Sequence, residues 1–575
     1  MEPTAAAPAP PSPLDAALRD GRGSWTRDLL LLVFGFALLF GPHLGRRALW
    51  SPDEGRYAEI PREMVASGDY VTPRLNGIKY FEKPPLFYWA EAGALRLFGP
   101  AEWALRLAPA FFALLGVLAV YAAGRRLYGR RAGLGAGAVL ATSPLWFGLG
   151  EAITLDMAVS SLLTLAFLAF LFASRAETVW QRRLWIWAFY AAAALATLTK
   201  GLIGIVIPAL VLGAWMLLSK DWRGWRLTRL ALSPSGIALF LLIAAPWHFL
   251  VSRANPEFAW FYFVHEHFLR YTTKVHKRYE PAWFFVPILL VGLLPWVVFL
   301  PRAIRNAFRA ATVPAEERRT NLLFLLWAGL VFAFFSLSDS KLVPYILPVL
   351  PPLALLLGRD LALAWERPGD RWGRALPYLA LLLLAGTLGT AFLVLPRVPK
   401  ASAYAGLLGG FVYALAGSLL LMGFLPLALD RLGRGRAALV ACGLTGFLFL
   451  TTLAASLPPL DRDRSVKALA TDLRPRLQPG DEVASYHDYF QDLPFYLGRK
   501  VTVAAWRGEL DFGMQQEDTS GWMIGEEELW RRWNGPGRVY LVVDGRSAPA
   551  VLKGTLLARS GHNLLLVNRP ADRQP

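Results

Sequence analysis

Thirteen apolar stretches, each near the ~20 residues that cross a bilayer as an α-helix, punctuate this chain at 28–45, 103–123, 132–150, 154–173, 184–199, 201–219, 234–252, 282–300, 321–337, 341–358, 375–395, 405–428 and 437–458. A water-soluble core has no use for so many such runs, and the content of 55% hydrophobic and 18% charged residues agrees with an all-α polytopic membrane protein. Lys and Arg sort by loop parity. They crowd at Arg125–Arg131, Arg175–Arg183, Lys220–Arg229, Arg302–Arg319, Arg359–Arg374 and Arg431–Arg436, while the intervening short loops are nearly bare. By the positive-inside rule the crowded loops face the cytoplasm, which puts the C-terminal region outside. The excess of 60 Lys+Arg over 42 Asp+Glu, a net +18, is therefore topological. No basic tract is interleaved with stacking aromatics, so nucleic acid is not an expected partner. One cysteine, Cys442, excludes intrachain disulfides and cysteine-cluster metal sites.

Three parts follow. Residues 1–27, Ala/Pro-rich with Arg19, Arg22 and Arg27, read as a disordered cytoplasmic tail before an uncleaved signal-anchor. Residues 28–460 form the membrane domain, with two long external loops at 46–102 and 253–281. From Asp461 charges become frequent, and β-branched runs at Glu482–His487, Val501–Trp506 and Arg538–Asp544 alternate with helical stretches at Ser465–Leu477 and Glu526–Trp533. This predicts a small external α/β domain over 461–575. Neither a Walker nor a dinucleotide glycine loop is present, so no nucleotide cofactor is expected.

The unusual polar residues gather outside. In the first long loop Asp53-Glu54-Gly55-Arg56-Tyr57 opens a predicted amphipathic helix to Met64, with Asp53 as a candidate N-cap. Farther on come Glu82-Lys83-Pro84-Pro85 and then Phe87, Tyr88 and Trp89, which read as anchors of an interfacial helix. Glu151, Asp156, Lys200, His265-Glu266-His267, Arg270, Lys341 and Tyr345 occupy other external turns. Charges at the hydrocarbon boundary are costly unless paired or lining a wet cavity, so the ring is a candidate site; mutual salt bridges are the plainer alternative. Glu82, Asp156 and His265 have the donor types for a divalent ion such as zinc if their loops converge. A nucleophile-elbow serine is missing, which disfavours acyl transfer.

The runs Asp53–Ile60, Arg62-Glu63-Met64, Phe81-Glu82-Lys83-Pro84-Pro85-Leu86, Leu155-Asp156, Thr199-Lys200-Gly201, Ser340-Lys341-Leu342 and Tyr345–Pro348 resemble the bacterial aminoarabinose transferases, within the wider GT-C class that includes protein O-mannosyltransferases. Gln491–Leu497 resembles the same family's C-terminal part. The resemblance implies a GT-C fold of about 13 transmembrane helices with a periplasmic α/β domain. The implied reaction moves 4-amino-4-deoxy-L-arabinose from undecaprenyl phosphate to lipid A phosphate on the periplasmic face of the inner membrane, by inversion, with the lipid-linked donor replacing any soluble cofactor. Membrane lipids are the other expected partners, and the chain is expected to act as a monomer.

On this reading Asp53, Glu82 and Asp156 are catalytic candidates. Lys83, Arg270, Lys200, Lys341 and Tyr345 would meet the departing phosphate, and Glu54, Arg56 and Tyr57 the substrate. A hydroxyl acceptor would need Asp53 as a partly buried general base with a raised pKa. A phosphate acceptor is already ionised, its second pKa being roughly 6, and would leave Asp53 to orient the sugar, bind its amino group or stabilise charge at the anomeric carbon. Two rivals stand: the same fold glycosylating protein or another envelope glycan, and a transporter of lipid-linked substrates. The transporter predicts functional charges at mid-membrane, where the predicted spans carry few acids, and the inverted repeats that many transporters show are not seen.

Overall fold

In the computed structural model, residues 24–219, 226–269, 280–309, 313–366, 371–398, 401–547 and 554–569 are described. Among them nine helices are long and apolar enough to span a membrane: Ser24–His43, Glu102–Tyr128, Asp156–Arg175, Arg226–Ala254, Ala315–Leu337, Val343–Glu366, Ala375–Arg397, Phe411–Arg431 and Gly435–Arg464. Two bent pairs raise the number to 11 if each is one span. Arg130–Ala141 turns by 63° into Pro144–Gly150, and Phe285–Gly292 by 100° into Trp296–Ala307. Pro144 and Pro295 stand at these bends, where a residue without an N–H interrupts the helical ladder. The other two expected segments are also helical. Ile203–Leu218 is shorter, and Val179–Lys200 carries Arg182, Arg183 and Lys200. The expected tail over 1–23 lies outside the described residues.

The first long loop is built from three local signals. Pro52 precedes the helix Asp53–Ser67, and Gly68, at φ 74°, ends it by donating its N–H to Met64 O. Strands β1 (Arg74–Leu75) and β2 (Ile78–Lys79) pair antiparallel across Asn76-Gly77, both at positive φ (55° and 79°), the geometry that matches hairpin twist. A second helix, Leu86–Phe98, then leads into the Glu102–Tyr128 span. Its aromatics correct the interfacial reading. Phe87 and Tyr88 are buried, packed around Tyr57 at 6.3 and 5.9 Å between ring centroids, and Trp89 Nε1 donates to Tyr70 O at 2.9 Å. The large hydrophobic side chains exposed here are Leu97, Phe98 and Trp103.

The C-terminal region holds six further strands: β3 (Glu482–Tyr486), β4 (Thr502–Ala504), β5 (Met523–Ile524), β6 (Val539–Asp544), β7 (Thr555–Ser560) and β8 (Asn563–Val567). Their order is β5-β4-β3-β6-β8-β7; β5, β4, β3 and β6 are parallel, and β8 and β7 extend the sheet antiparallel. Central strand β6 is buried along nearly its whole length, as a strand covered on both faces must be. The segment after β3 docks on the first-loop helix. A Cβ at Gly55 would lie 2.4 Å from Asp492 N, so only glycine permits this approach. Buried Asp492 accepts from Ser51 Oγ at 2.5 Å, Ser465 Oγ at 2.6 Å and Val466 N at 2.8 Å.

Candidate active site

Helix starts, helix ends and turns from both regions surround one cavity of about 640 Å³. Its wall contains Asp53, Arg56, Tyr57, Glu82, Lys83, Asp156, Lys200, His265 and Tyr345, residues spread over almost 300 positions of sequence. Asp53 occupies the first turn of its helix but does not cap it: its Oδ1 accepts from Arg56 Nη2 at 2.7 Å, and its side chain is 64% exposed to the cavity. The partial burial expected of a general base is absent. Arg56, buried beneath, donates to Tyr80 Oη at 3.0 Å and approaches Glu509 Oε1 at 3.6 Å. Burial opposes its charge, but Tyr80, Tyr57, Glu509 and Glu82 outweigh that and push its pKa up. Burial pushes the Tyr57 hydroxyl up as well, so it stays neutral.

The two lysines sit among acids. Lys83 Nζ donates to Glu82 O at 2.9 Å and lies 3.7 Å from the Glu82 carboxylate and 3.8 Å from that of Glu266. Lys200, last residue of its helix, forms an ion pair with Asp156, first residue of the Asp156–Arg175 helix, and stands 4.7 Å from the Tyr345 ring centroid. His265, on a π-helical turn Trp260–Leu269, stacks on Phe261 with its Nδ1 3.3 Å from Glu266. Among the described residues no three His, Cys, Asp or Glu side chains are placed to hold a metal ion. Glu82, Asp156 and His265 share the cavity, but Asp156 is engaged by Lys200 and His265 by Glu266, so the expected trio is not assembled.

Two expected site residues lie elsewhere. Glu54, one helical step from Asp53, points into the protein: it accepts from Arg47 Nη1 and Nη2 at 2.9 and 2.8 Å, Arg106 Nη2 at 3.2 Å, Trp50 N at 2.9 Å and Ile153 N at 3.2 Å. Burial works against its charge, but Arg106 and Arg47 hold its pKa below the usual carboxylate value. Glu54 thus clamps the Asp53 helix to the turn that carries Asp156, and it does not line the cavity. Lys341 is 5% exposed and donates to Glu280 O and Ser338 O at 2.8 and 2.6 Å; it ties the loop whose Leu342 and Tyr345 reach the cavity. Arg270 lies outside the described residues. The sequence did not single out Gly508, Glu509, Asp511, Phe512 and Gln515 of the C-terminal region, which close one side. Counting these, among the described residues six carboxylates (Asp53, Glu82, Asp156, Glu266, Glu509, Asp511) face three fixed cations (Arg56, Lys83, Lys200).

A helical membrane bundle with its polar cavity at one end, against a small α/β region, is the architecture of GT-C membrane glycosyltransferases. The fold matches the Archaeoglobus fulgidus oligosaccharyltransferase at a TM-score of 0.51 and 12% identity, covering 91% of this chain and 69% of that one. Residues 82–249 match the model of the dolichyl-phosphate-mannose-protein mannosyltransferases, and residues 469–557 that of the aminoarabinose transferase C-terminal domain. The crystal structure of ArnT from Cupriavidus metallidurans bound to undecaprenyl phosphate is 32% identical, with a TM-score of 0.83 over 96% of this chain and 99% of that one. An undecaprenyl phosphate-alpha-4-amino-4-deoxy-L-arabinose arabinosyl transferase of Sodalis glossinidius is 31% identical over 95% of this chain and 98% of its own length. One from Edwardsiella ictaluri is 30% identical over 92% and 97%. The chain belongs to this arabinosyl transferase family.

Proposed function

We propose that the chain transfers 4-amino-4-deoxy-L-arabinose from undecaprenyl phosphate to a phosphate of lipid A, at the periplasmic face of the bacterial inner membrane, with its N-terminus in the cytoplasm. The observation that carries this reading is the single cavity in which exposed Asp53 and the ammonium groups of Lys83 and Lys200 face the same space. An acceptor phosphate oxygen forms the new bond to the anomeric carbon as the bond from that carbon to the carrier's phosphate oxygen breaks, with inversion. The carrier enters as a singly charged phosphodiester and leaves as a phosphomonoester with one more negative charge. Fixed cations aimed at that charge stabilise the transition state more than the ground state. Lys83 and Lys200 have that role, with Tyr345 beside Lys200.

The acceptor phosphate needs no base, so Asp53 orients the sugar and balances positive charge at the anomeric carbon. The surplus of carboxylates suits a donor whose sugar bears an ammonium group. The leaving group supplies the activation, so the lipid-linked donor takes the place of a soluble cofactor, and the active unit we propose is a monomer. The test is mass spectrometry of lipid A from cells that make the donor and express this chain, beside Asp53→Ala and Lys83→Ala at matched levels. A pentosamine mass increment that disappears in both variants is expected. Unmodified lipid A with the unaltered chain would overturn the acceptor assignment, and the same extracts would then be searched for sugar on protein or other glycans.

A further inference from the structure

At the far end of the same helices lies a second recess, of about 280 Å³. Asp156 opens the Asp156–Arg175 helix at the catalytic cavity and Arg175 ends it at the recess, about 28 Å away at 1.5 Å per residue. That is close to the ~30 Å of bilayer hydrocarbon. The recess therefore sits at the opposite membrane face.

Three guanidinium groups line it. Arg175 bonds to Thr320 Oγ1 and lies 3.7 Å from Glu316. Arg226 Nη2 donates to Ser174 O at 2.9 Å. Arg319 is 5.3 Å from the Trp215 ring centroid, and Trp215 Nε1 donates back to Arg319 O at 2.9 Å. Among the described residues one lining carboxylate, Glu316, opposes them, and its side chain is 76% exposed. Ser174 and Thr320 add polar groups, and Leu171, Leu227 and Trp215, all buried, complete the wall.

We propose that this recess binds the phosphate of a membrane lipid in the leaflet opposite the active site. Guanidinium forks match phosphate oxygens, and basic pockets between helix ends at the membrane surface are suited to anionic headgroups. At the membrane face the phosphates at hand belong to lipid headgroups, so the occupant is a lipid rather than a free anion. Two lipids offer that chemistry: an anionic glycerophospholipid, through its phosphodiester, and a polyprenyl phosphate, through its phosphomonoester.

The test is native mass spectrometry of the full chain in non-ionic detergent, with equimolar phosphatidylglycerol and phosphatidylcholine of matched acyl chains, and separately with undecaprenyl phosphate. One phosphatidylglycerol held in preference to phosphatidylcholine is expected, weakened by about ten-fold or more in Arg226→Gln/Arg319→Gln and unaffected by Lys83→Ala. If the carrier is the occupant instead, undecaprenyl phosphate stoichiometry falls by one in the arginine variant. Arg319 packs on Trp215, so Arg226→Gln alone, at an exposed residue, serves if the double variant lowers the thermal midpoint. No preference for either anionic lipid over phosphatidylcholine overturns the proposal. So does unchanged retention in an arginine variant whose thermal midpoint matches wild type.

Discussion

Replacing Glu54 by Gln removes the anion between Arg47 and Arg106 while keeping the shape of the side chain. Arg106 is buried and the Arg47 side chain is only 11% exposed, and removing one partner of a buried ion pair costs about 3–5 kcal/mol because the other charge is left uncompensated. At about 2 °C per kcal/mol for a cooperative unit of 250 residues, the thermal midpoint falls by about 6–10 °C. Glu151 modifies this result. Burial pushes its carboxyl up to about 8, against the pull of Arg106 and Arg47, and the charge on Glu54 adds to the rise. Wild type therefore holds Glu151 protonated at pH 7, at a cost relative to a neutral amide of about 3 kcal/mol. Once Glu54 is gone, Glu151 ionises and becomes the arginines' counter-charge. Glu151→Gln accordingly stabilises the wild type and destabilises the Glu54→Gln protein, a reversal of sign. Tryptophan-fluorescence unfolding of the four proteins in detergent at pH 7 reads it directly. A Glu151→Gln effect of equal sign and size in both backgrounds would refute the coupling, and an unchanged midpoint in Glu54→Gln would refute the clamp.

The same carboxyl predicts a pH profile. A folded pKa of about 8, above the ordinary glutamate value of 4.5, means stability is full below about 4.5 and lost as pH rises toward 8; midpoints measured from pH 4.5 to 8 should decline in wild type and decline less in Glu151→Gln. Gly55→Ala drives a Cβ against Asp492 N and the Gln491 carbonyl carbon, 2.4 and 2.6 Å away. It should cost about 1–3 kcal/mol, expose the C-terminal region to limited proteolysis and lower sugar transfer at least about ten-fold as the Glu509 wall retreats. Lys341→Met leaves the carbonyls of Glu280 and Ser338 without their donor; it should lower the thermal midpoint and reduce kcat while KM for the donor stays near wild type, whereas Lys83→Ala reduces transfer without a matching loss of stability.

The sequence was most legible where one residue type carries one physical consequence. Long apolar runs became helices, Asn76-Gly77 became a hairpin turn, and β-branched runs became strands β3, β4 and β6. Side-chain direction was not legible in the same way. Asp53 and Glu54 are equally acidic neighbours, but successive residues on a helix point about 100° apart, so one faces the cavity and the other Arg106. Lys341 and Lys200 both follow Ser or Thr in external turns; carbonyls capture the first, and the second reaches Asp156. The exposed strand β7 lacks the alternation that would mark it, and nothing local distinguishes Glu509 or Asp511 from ordinary surface acids. Their place in the wall follows from the docking of Asp492 on Gly55, a contact between residues 437 positions apart.

That separation also orders the making of the protein. Asp53, Glu82 and Lys83 emerge from the ribosome early, and the spans supplying Asp156, Lys200 and Tyr345 follow them. The wall at 508–515 is synthesised last. Until those residues have been added and the sheet has folded against Gly55, a nascent chain holds its acids and cations around an open depression with no far side. Completion of the sugar site is thus coupled to completion of biogenesis, and a chain stalled after its final membrane helix is inserted but inert.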